Sequence, residues 1–367
     1  MSLQLGIVGL PNVGKSTLFN ALTNAGAAVA SYPFTTIDPN VGVVEVPDPR
    51  LAQVAAIVQP QETKPTVIEF VDIAGLVKGA HHGEGLGNQF LGHIRNVDAI
   101  VLVVRCFQDP DVAHVTAELD PLADCAVIDL ELVLADLAVV ERREDKVRSA
   151  AKAQPKEYAA ELELLGRMKA HLERGLLAAT LPISEKEAEM IRPLNLLTAK
   201  PRLYVANVGE QDLPDGGPLA QKVVEQANQE GAQAVVLCAQ LEADLADWSP
   251  DEAAEYRAVL GLEASGLERL VHASYRLLDL VTFFTATGTN VVRAWTLRRG
   301  QTAYDAAGKI HSDMQKGFIR AEVISFSDLM SAGEFGVARE RGLIRMEGRD
   351  YVVQDGDVIH IRFTPPR

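Results

Sequence analysis

The nine-residue segment GLPNVGKST, residues 9–17, constrains the fold more than any other feature of this sequence. It follows the apolar run LQLGIVGL, precedes a helix-like segment, and contains the pattern GxxxxGKS. In a loop of this pattern, successive backbone N–H groups and the N-terminus of the following helix form a cradle for phosphate groups. A strand, this loop and a helix in that order predict an α/β domain with a phosphate-binding site.

The polar residues of this segment have expected roles. The ammonium group of Lys15 is expected to reach the β- and γ-phosphates of a nucleoside triphosphate and to act in catalysis, and the Ser16 hydroxyl is expected to bind Mg²⁺. The predicted nucleotide contacts in this segment are Asn12, Val13, Gly14, Lys15, Ser16 and Thr17.

Five more apolar, β-branched runs follow, with helix-like segments between most of them. They are residues 41–46, 66–73, 99–107, 202–208 and 232–239. Runs that are apolar throughout, rather than alternating, are typical of strands buried on both faces. The sequence therefore predicts an α/β fold with a mainly parallel sheet covered by helices on both faces.

The long interval before the fifth strand has a helical pattern. Apolar residues recur at helical spacing from Asp129 to Val140 and again from Leu162 to Leu176. Ser184 and Glu187 then form a capping-box signature that opens a third, short helix. We expect an antiparallel helical hairpin, inserted in the sheet domain and projecting from it.

From Val281 onward the pattern changes to short strands separated by turns, with a helix-like segment at residues 302–314. Asp355 and Gly356 predict a tight turn between two of these strands. A small mixed α+β domain fits this pattern. The expected domains are a nucleotide-binding domain of residues 1–128 and 201–280, a helical insertion of residues 129–200, and a C-terminal domain of residues 281–367.

Two further segments supply what a nucleotide-dependent switch needs. The segment SYPFTTIDPN contains Thr35 and Thr36, one of which is expected to close on Mg²⁺ and the γ-phosphate; we assign this role to Thr36. The segment DIAG ends a predicted strand, with the Asp72 carboxylate near the metal ion and the Gly75 N–H directed at the γ-phosphate. The expected Mg²⁺ site therefore consists of Ser16, Thr36 and Asp72.

The residue that positions the attacking water is not evident. A Ras-type GTPase has a glutamine after the glycine of this motif, whereas this chain has Leu76, which cannot hold a water molecule. His81, His82 and His114 are candidates, and we name His114 as the catalytic one. For each histidine, a structural role on the surface or in the core is the alternative.

The segment YVANVGEQD bears on the choice of base. A GTPase usually has Asn-Lys-x-Asp after such a strand, and this chain has Asn207, Val208, Gly209 and Glu210. Without the lysine stem and with a longer carboxylate, the site loses the pairing that favours guanine. The predicted nucleotide contacts in this segment are Asn207, Val208 and Glu210. Of these, Asn207 and the Val208 backbone have groups that could pair with adenine. The residues alone predict only that the site is not strictly specific for GTP, and an ordinary turn without base contact is the alternative.

Composition restricts location and partners. The net charge is −15, and the acidic excess lies almost wholly outside residues 129–200 and 281–367, so a nucleic-acid partner would contact those two segments.

No apolar run approaches the ~18 residues of a membrane span, and the chain enters its first strand without a leader, which predicts a cytoplasmic protein without a membrane partner. The three cysteines lack metal-ligand or CxxC spacing and are expected to be buried free thiols.

Together these motifs resemble the Obg-like ATPase family, called YchF in bacteria, within the P-loop GTPase superclass. The resemblance rests on GLPNVGKST, YPFTTIDPN, DIAGLVKGAHHGEGLGNQFL, NVGE, IHSDMQKGFIRAEV and DGDVIHIRF, and it covers essentially the whole chain. It implies a Ras-like G domain, a coiled-coil insertion and a C-terminal β-grasp (TGS) domain. It also implies ATP as the preferred substrate and Mg²⁺ as the cofactor. An asparagine at the position of Asn12 resembles that of relatives that seat a K⁺ ion near the phosphates, and a solvent-facing turn residue is the alternative.

The resemblance further implies association with the ribosome, at its large subunit, and with RNA. A concentration of basic residues in the first half of the C-terminal region agrees with this implication; they are Arg298, Arg299, Lys309, Lys316 and Arg320. We expect a monomer with slow turnover, on the order of ~10⁻⁴ to 10⁻³ s⁻¹ or somewhat faster, because neither a glutamine nor an arginine finger is evident. A GTP-using translation or ribosome-assembly factor, and a scaffold gated by nucleotide, are the alternatives.

Overall fold

The computed structural model describes residues 3–25, 41–73, 86–108, 119–287 and 290–365. The chain divides into two compact units. The first comprises Met1–Val44 and Glu69–Ser274, and the second comprises Glu45–Ile68 and Tyr275–Arg367.

A six-stranded sheet forms the centre of the first unit. Its strands are β1 (Gln4–Val8), β2 (Val41–Glu45), β4 (Val67–Asp72), β5 (Ala99–Arg105), β6 (Arg202–Asn207) and β7 (Gln233–Leu237). The order across the sheet is β2-β4-β1-β5-β6-β7, and all pairs from β4 to β7 are parallel. Every residue of β5 and β6 is buried, which explains why their sequences are apolar throughout. The predicted α/β fold with a mainly parallel sheet is confirmed.

Helices connect and flank these strands. Those of the first unit are α1 (Lys15–Ala25), α3 (Leu86–Asn96), α4 (Pro121–Ala151), α5 (Pro155–Leu172), α6 (Glu185–Ile191), α7 (Gly217–Gln229), α8 (Ala239–Leu245), α9 (Pro250–Val259) and most of α10 (Gly266–Leu277). Among the described residues, no helix has both the length and the apolar character needed to cross a membrane.

Parallel pairing brings the carboxyl ends of the central strands to one edge of the sheet. Ile7 lies opposite Asp72 on one side and Val101 on the other. Arg105 lies opposite Asn207 in the next pair of strands. The loops that leave this edge are where open α/β sheets bind ligands.

The helical insertion is built from α4 and α5, whose apolar residues share a core that includes Val140, Val147, Leu164 and Met168. Helix α4 begins before the expected boundary at residue 129, because the Asp120 side chain accepts hydrogen bonds from two backbone N–H groups at its start. The predicted capping box of α6 is present between Ser184 and Glu187. The insertion belongs to the first compact unit rather than forming a third one.

The second unit contains another six-stranded sheet. Its strands are β3 (Glu62–Lys64), β8 (Leu280–Thr287), β9 (Val291–Arg298), β10 (Phe318–Ile324), β11 (Arg345–Glu347) and β12 (Val358–Phe363), in the order β11-β10-β12-β8-β9-β3. Its helices are α2 (Pro49–Val58), α11 (Ala303–Ile310), α12 (Ser312–Lys316), α13 (Phe326–Ala332) and α14 (Phe335–Glu340). The β8–β9 and β10–β12 pairs are antiparallel and the β12–β8 pair is parallel, so the sheet contains both kinds of pairing.

Residues 45–68 lie in this second unit, although the sequence pattern placed them in the nucleotide-binding domain. Strand β3 pairs with β9, and the hydroxyl groups of Thr66 and Thr296 lie 2.5 Å apart. Leu51 and Val54 of α2 lie in the core of the second unit. Pairing between segments more than two hundred residues apart leaves no periodic signal in the sequence, so the expected boundary at this point differs from the structure.

The turn at Asp355 and Gly356 is present, and Gly356 has a φ of 90°. However, the residue that precedes it in the expected hairpin, Val352, pairs with Thr302 rather than with β12. The Asp355 carboxylate accepts a hydrogen bond from the Thr282 N–H at 2.8 Å, which holds the turn against β8. The expected turn is therefore present, but it does not join two paired strands; a hydrogen bond from the backbone of β8 to the Asp355 side chain holds it in place.

The three cysteines are buried free thiols, as predicted. Burial raises the pKa of the Cys106 thiol to about 12, and it also raises the pKa values of the other two. Thiols of this kind are mostly protonated at neutral pH and therefore poorly nucleophilic.

Candidate nucleotide-binding site

The loop between β1 and α1 has the geometry of a phosphate cradle. Asn12 and Gly14 have positive φ angles of 61° and 91°, and the first helical hydrogen bond joins the Leu18 N–H to the Gly14 carbonyl at 2.9 Å. A Cβ atom at Gly9 would lie 2.6 Å from the Val103 carbonyl oxygen, so only glycine fits there. The loop therefore passes close to β5 before it turns into the helix.

Lys15 has its side chain enclosed by this loop. Only 8% of the residue is exposed, and its ammonium group donates hydrogen bonds to the carbonyl oxygens of Gly9 at 3.0 Å and Leu10 at 2.7 Å. Burial lowers the pKa of Lys15 to about 8, and the negative charge of Asp72 partly opposes this shift. The amine therefore lies at the predicted phosphate site and depends on nearby negative charge to remain protonated at higher pH.

Asp72 ends β4 at the same edge of the sheet. Its Oδ1 atom is buried and has no hydrogen-bond partner in the described part of the chain. Burial raises the pKa of Asp72, and the positive charge of Lys15 partly opposes this rise. A buried carboxylate oxygen without a partner is unfavourable unless a cation or another donor binds it.

The residues present fit a Mg²⁺ ion. Ser16 is the second residue of α1 and is exposed, and the described residues contain no cluster of three or more acidic, histidine or cysteine side chains that would hold a metal alone. Mg²⁺ usually takes one or two protein oxygens together with water and phosphate oxygens. A hydroxyl from Ser16 and the carboxylate of Asp72 are the kind of ligands that this ion accepts.

Asn207 joins the phosphate-binding loop to the predicted base-reading loop. Its side-chain Nδ2 donates to the Val13 carbonyl at 2.9 Å, and its Oδ1 accepts the Ala239 N–H at 2.9 Å. The side chain is 4% exposed and lies so close to Gly14 that a Cβ atom there would overlap it. The nitrogen and the oxygen of the Asn207 amide therefore connect the end of β6 to the phosphate-binding loop and to the start of α8.

Val208 and Glu210 follow at the end of β6. The Val208 N–H donates to the Leu237 carbonyl at 2.9 Å, and the residue is 2% exposed. The structure thus gives Asn207 and the Val208 N–H positioning roles, and their expected contacts with the base remain a prediction. Glu210 is exposed, and its Oε1 accepts the Tyr256 hydroxyl at 2.6 Å. This hydrogen bond raises the pKa of Tyr256.

The described site residues lie on the loops at one edge of the first sheet. Six of them lie between β1 and α1 or in the first turn of α1, namely Asn12, Val13, Gly14, Lys15, Ser16 and Thr17. The other four lie at or just after the ends of β4 and β6, namely Asp72, Asn207, Val208 and Glu210. The predicted residues Thr36, Gly75 and His114 lie outside the described residues, as do Thr35, Leu76, His81 and His82.

Two contributors were not predicted from the sequence. Ala239, at the start of α8, donates its N–H to Asn207, and a signal for it existed, since the run AQAVVLCA predicts a strand that ends at this same edge. Tyr256 lies 46 residues from its partner Glu210, and no motif marks it. The base-reading loop is therefore supported by α8 and α9 as well as by its own strand.

Two protein-family models match parts of this chain. A family model described as "50S ribosome-binding GTPase" matches residues 4–142, and a model for the C-terminal region of YchF GTPases, described as a protein of unknown function, matches residues 280–364.

Similar proteins are known over the full length. A Bacillus subtilis protein named "Ribosome-binding ATPase YchF" is 50% identical over 366 residues, which is 99% of this chain and 100% of the relative. The Escherichia coli O157:H7 protein of the same name is 52% identical over 365 residues, with the same coverage. A solved structure of the Schizosaccharomyces pombe YchF GTPase matches with a TM-score of 0.89 and 35% identity, over 98% of each chain.

Proposed function

The chain belongs to the YchF family, and we propose that it is a Mg²⁺-dependent ATPase switch that associates with the ribosome. The observation that carries the proposal is the hydrogen bond from Asn207 to the Val13 carbonyl, because it joins a phosphate cradle to a base-reading loop. A phosphate cradle alone would fit many phosphorylated ligands. The connection to a second loop at the base position favours a nucleotide.

Preference for ATP over GTP is supported by what surrounds the base-reading loop. Val208 is 2% exposed and cannot supply the flexible lysine stem found in guanine-specific sites. The carboxylate of Glu210 is hydrogen-bonded to Tyr256. Two relatives about half identical to the chain are named ATPases. A guanine ring would therefore find neither the lysine nor a fully available carboxylate.

Phosphate and metal binding are assigned to residues of the same edge. We assign Mg²⁺ to Ser16, Thr36 and Asp72, with the ion supplying charge neutralisation at the phosphates when bound. Lys15 binds the phosphates, and the backbone of residues 12–17 surrounds them. The Gly75 N–H and His114 are assigned to the γ-phosphate and the attacking water respectively. Loss of the γ-phosphate would release the segments that contain Thr36 and Gly75, with slow turnover in isolation.

The Asn12 assignment extends this proposal to a monovalent cation. Asn12 has a left-handed backbone at a φ of 61° and an exposed side chain in the phosphate-binding loop. We propose that it helps to seat K⁺ beside the phosphates. Hydrolysis is then expected to rise when Na⁺ is replaced by K⁺, and equal rates in the two salts would remove Asn12 from this role.

Ribosome association is proposed from the relatives and from surface charge. Both bacterial relatives are named as ribosome-binding, and one family model is described as binding the 50S subunit. The five basic residues noted in the C-terminal unit are all exposed, namely Arg298, Arg299, Lys309, Lys316 and Arg320. Exposed cations of this kind suit phosphate-backbone contacts with RNA. We propose a monomer that acts on cytoplasmic ribosomes through the large subunit.

A GTP-using ribosome factor is the second candidate function. The family model over residues 4–142 is described as a GTPase, and so is the Schizosaccharomyces pombe protein. A nucleotide-gated scaffold is a weaker alternative, since it requires that hydrolysis be incidental.

Hydrolysis assays with ribosomal subunits test the proposal. ATP and GTP turnover should be measured with and without purified large and small subunits, and with the Lys15→Ala variant as the control. We expect ATP hydrolysis that is slow alone, faster with large subunits, and abolished in the variant. Faster GTP than ATP hydrolysis under all conditions would favour the second candidate. A Lys15→Ala variant that complements a deletion strain would favour the scaffold.

A further inference from the structure

Tyr256 and Glu210 come from separate segments of the first unit and meet beside the base-reading loop. Tyr256 lies in the second half of α9, and its hydroxyl donates to Glu210 Oε1 at 2.6 Å. Glu210 opens a single helical turn that ends at Asp212, and it lies three residues after Asn207, the last residue of β6. The Tyr256 hydroxyl therefore limits how the Glu210 carboxylate can turn towards a base.

Both partners are held in place by their own surroundings. Helix α9 is fixed by a capping box between Ser249 and Glu252 and by the burial of Ala253. The Tyr256 ring packs against Trp248 with ring centroids 5.4 Å apart. A hydroxyl on a capped helix with a packed ring loses little conformational freedom when it forms a hydrogen bond.

The Glu210 side of the contact is equally well defined. The Leu213 N–H donates to the Glu210 carbonyl at 3.1 Å, which closes the helical turn around this residue. Just beyond the turn, Pro214 lies near the residues that follow α9, since a Cβ atom added at Gly261 would be 3.5 Å from Pro214 Cγ. The bond between Tyr256 and Glu210 therefore joins α9 to a turn whose backbone is closed by its own hydrogen bond.

We propose that Tyr256 is a positioning residue for base selectivity, which lowers the affinity of the site for guanine by holding the Glu210 carboxylate in this hydrogen bond. The inference rests on the proposed function, since it requires that Glu210 lie beside the base of a bound nucleotide. Tyr256 itself touches no part of the nucleotide in this proposal.

The physical reason lies in the donors of the two bases. Guanine offers its N1–H and its 2-amino group, which two carboxylate oxygens can accept side by side. The bond from Tyr256 to Oε1 holds the carboxylate in one orientation and uses one of its lone pairs. Guanine must therefore turn the carboxylate away from the hydroxyl, or share Oε1 with it, before both oxygens can face its two donors. Adenine has no N1–H and no 2-amino group, so it has nothing to gain from a released carboxylate. The hydroxyl thus penalises guanine and leaves adenine unaffected.

Removing the hydroxyl tests this difference. In Tyr256→Phe the ring and its packing on Trp248 are kept, while the hydrogen bond to Glu210 is lost. Dissociation constants for ATP and GTP should be measured by equilibrium titration in Mg²⁺, with Tyr158→Phe on α5 as a matched control. We expect the ratio of GTP affinity to ATP affinity to rise about tenfold in Tyr256→Phe, the scale of one hydrogen bond to a charged group. The control should keep the wild-type ratio.

Two further arms separate selectivity from a structural effect. Inosine triphosphate has the N1–H but no 2-amino group, so its gain in Tyr256→Phe should be smaller than the gain for GTP. In the double variant Tyr256→Phe with Glu210→Gln, the gain for GTP should disappear, because an amide cannot accept from both donors. Glu210→Asp shortens the side chain, so that its carboxylate no longer reaches the Tyr256 hydroxyl. This variant should by itself raise the ratio of GTP affinity to ATP affinity, and it tests the proposal even if Tyr256→Phe folds poorly.

The outcomes are distinct from those of the proposed function. Wild-type protein that binds GTP more tightly than ATP would contradict the proposed ATP preference, whatever Tyr256 does. Equal changes in ATP and GTP affinity, an unchanged ratio in both Tyr256→Phe and Glu210→Asp, or a GTP gain that persists without the carboxylate would each overturn the role given to Tyr256.

Discussion

Lys15 combines burial with a charge that the function requires. The pKa of its amine is lowered to about 8 by burial, whereas a bound triphosphate places negative charge beside it and raises the pKa in the complex. Above pH 8 the free protein therefore loses a proton that the complex retains, so binding must take up a proton. We predict that the Kd for ATP is nearly constant below pH 7.5 and rises by up to about tenfold per pH unit above pH 8.

Titration calorimetry in buffers of different ionisation enthalpy measures this proton uptake directly. The Lys15→Met variant should bind ATP more weakly and with no rise in Kd between pH 8 and pH 9.5. A wild-type Kd that is flat over that range would show that the amine is not the group that meets the phosphates. The same shift has the opposite consequence for the free protein, whose folding stability should increase as pH rises from 8 towards 10.

Gly14 is required for two separable reasons, its positive φ and its contact with Asn207. An alanine at a φ near 91° is strained, and its Cβ would overlap the Asn207 amide. Gly175 is a matched control, because its φ is 76° and nothing lies within 4 Å of its Cβ position. We predict a loss of about 1–2 kcal/mol in unfolding free energy for Gly175→Ala and at least about 1 kcal/mol more for Gly14→Ala.

Urea unfolding of the two variants measures this comparison. Gly14→Ala should also weaken ATP binding, since Asn207 must move away from the Val13 carbonyl, whereas Gly175→Ala should bind normally. Equal losses of stability in the two variants would mean that the Asn207 contact contributes nothing beyond backbone strain.

At the scale of elements, Asp136 connects the helical insertion to the segment that leads into β6. The carboxylate is fully buried and accepts hydrogen bonds from the Leu197 N–H at 2.8 Å, the Thr198 N–H at 2.8 Å and the Thr198 hydroxyl at 2.7 Å. Burial raises the pKa of Asp136, and these three bonds oppose the rise. The carboxylate therefore accepts hydrogen bonds from three donors at once.

We predict that Asp136→Ala lowers the free energy of unfolding by about 3–4 kcal/mol, because it leaves buried donors without an acceptor. Asp145→Ala on the exposed side of the same helix is the control and should change stability by less than about 0.5 kcal/mol. Thermal unfolding followed by circular dichroism compares the two. A small effect at Asp136 would mean that water replaces the lost oxygens.

At the scale of the whole molecule, the second unit depends on a segment that is remote in sequence. Leu51 and Val54 of α2 lie in its core, β3 extends its sheet, and Arg50 pairs with Asp355 at 2.7 Å. We predict that a fragment of residues 275–367 alone is unfolded or aggregated, and that fusing residues 45–68 to it restores a cooperative thermal transition. A fragment that folds equally well without residues 45–68 would contradict the assignment of that segment to this unit.

How much the sequence predicts depends on the range of the interactions. The phosphate-binding loop, the apolar runs of the buried strands and the capping box at Ser184 are set by neighbouring residues, and these were predictable. The pairing of β3 with β9, the contact of Asp136 with Thr198 and the bond between Tyr256 and Glu210 join residues far apart in the chain. Such contacts are decided by packing in three dimensions, and no local pattern indicates them.

Equilibrium binding of the two nucleotides tests the central claim most directly, since the account depends on a phosphate cradle joined to a base pocket that does not select guanine. Calorimetric titration of the wild-type protein with ATP and with GTP, in Mg²⁺ at pH 7.5, gives both dissociation constants under one condition. The account predicts a lower Kd for ATP than for GTP. A lower Kd for GTP, or no detectable binding of ATP, would contradict it.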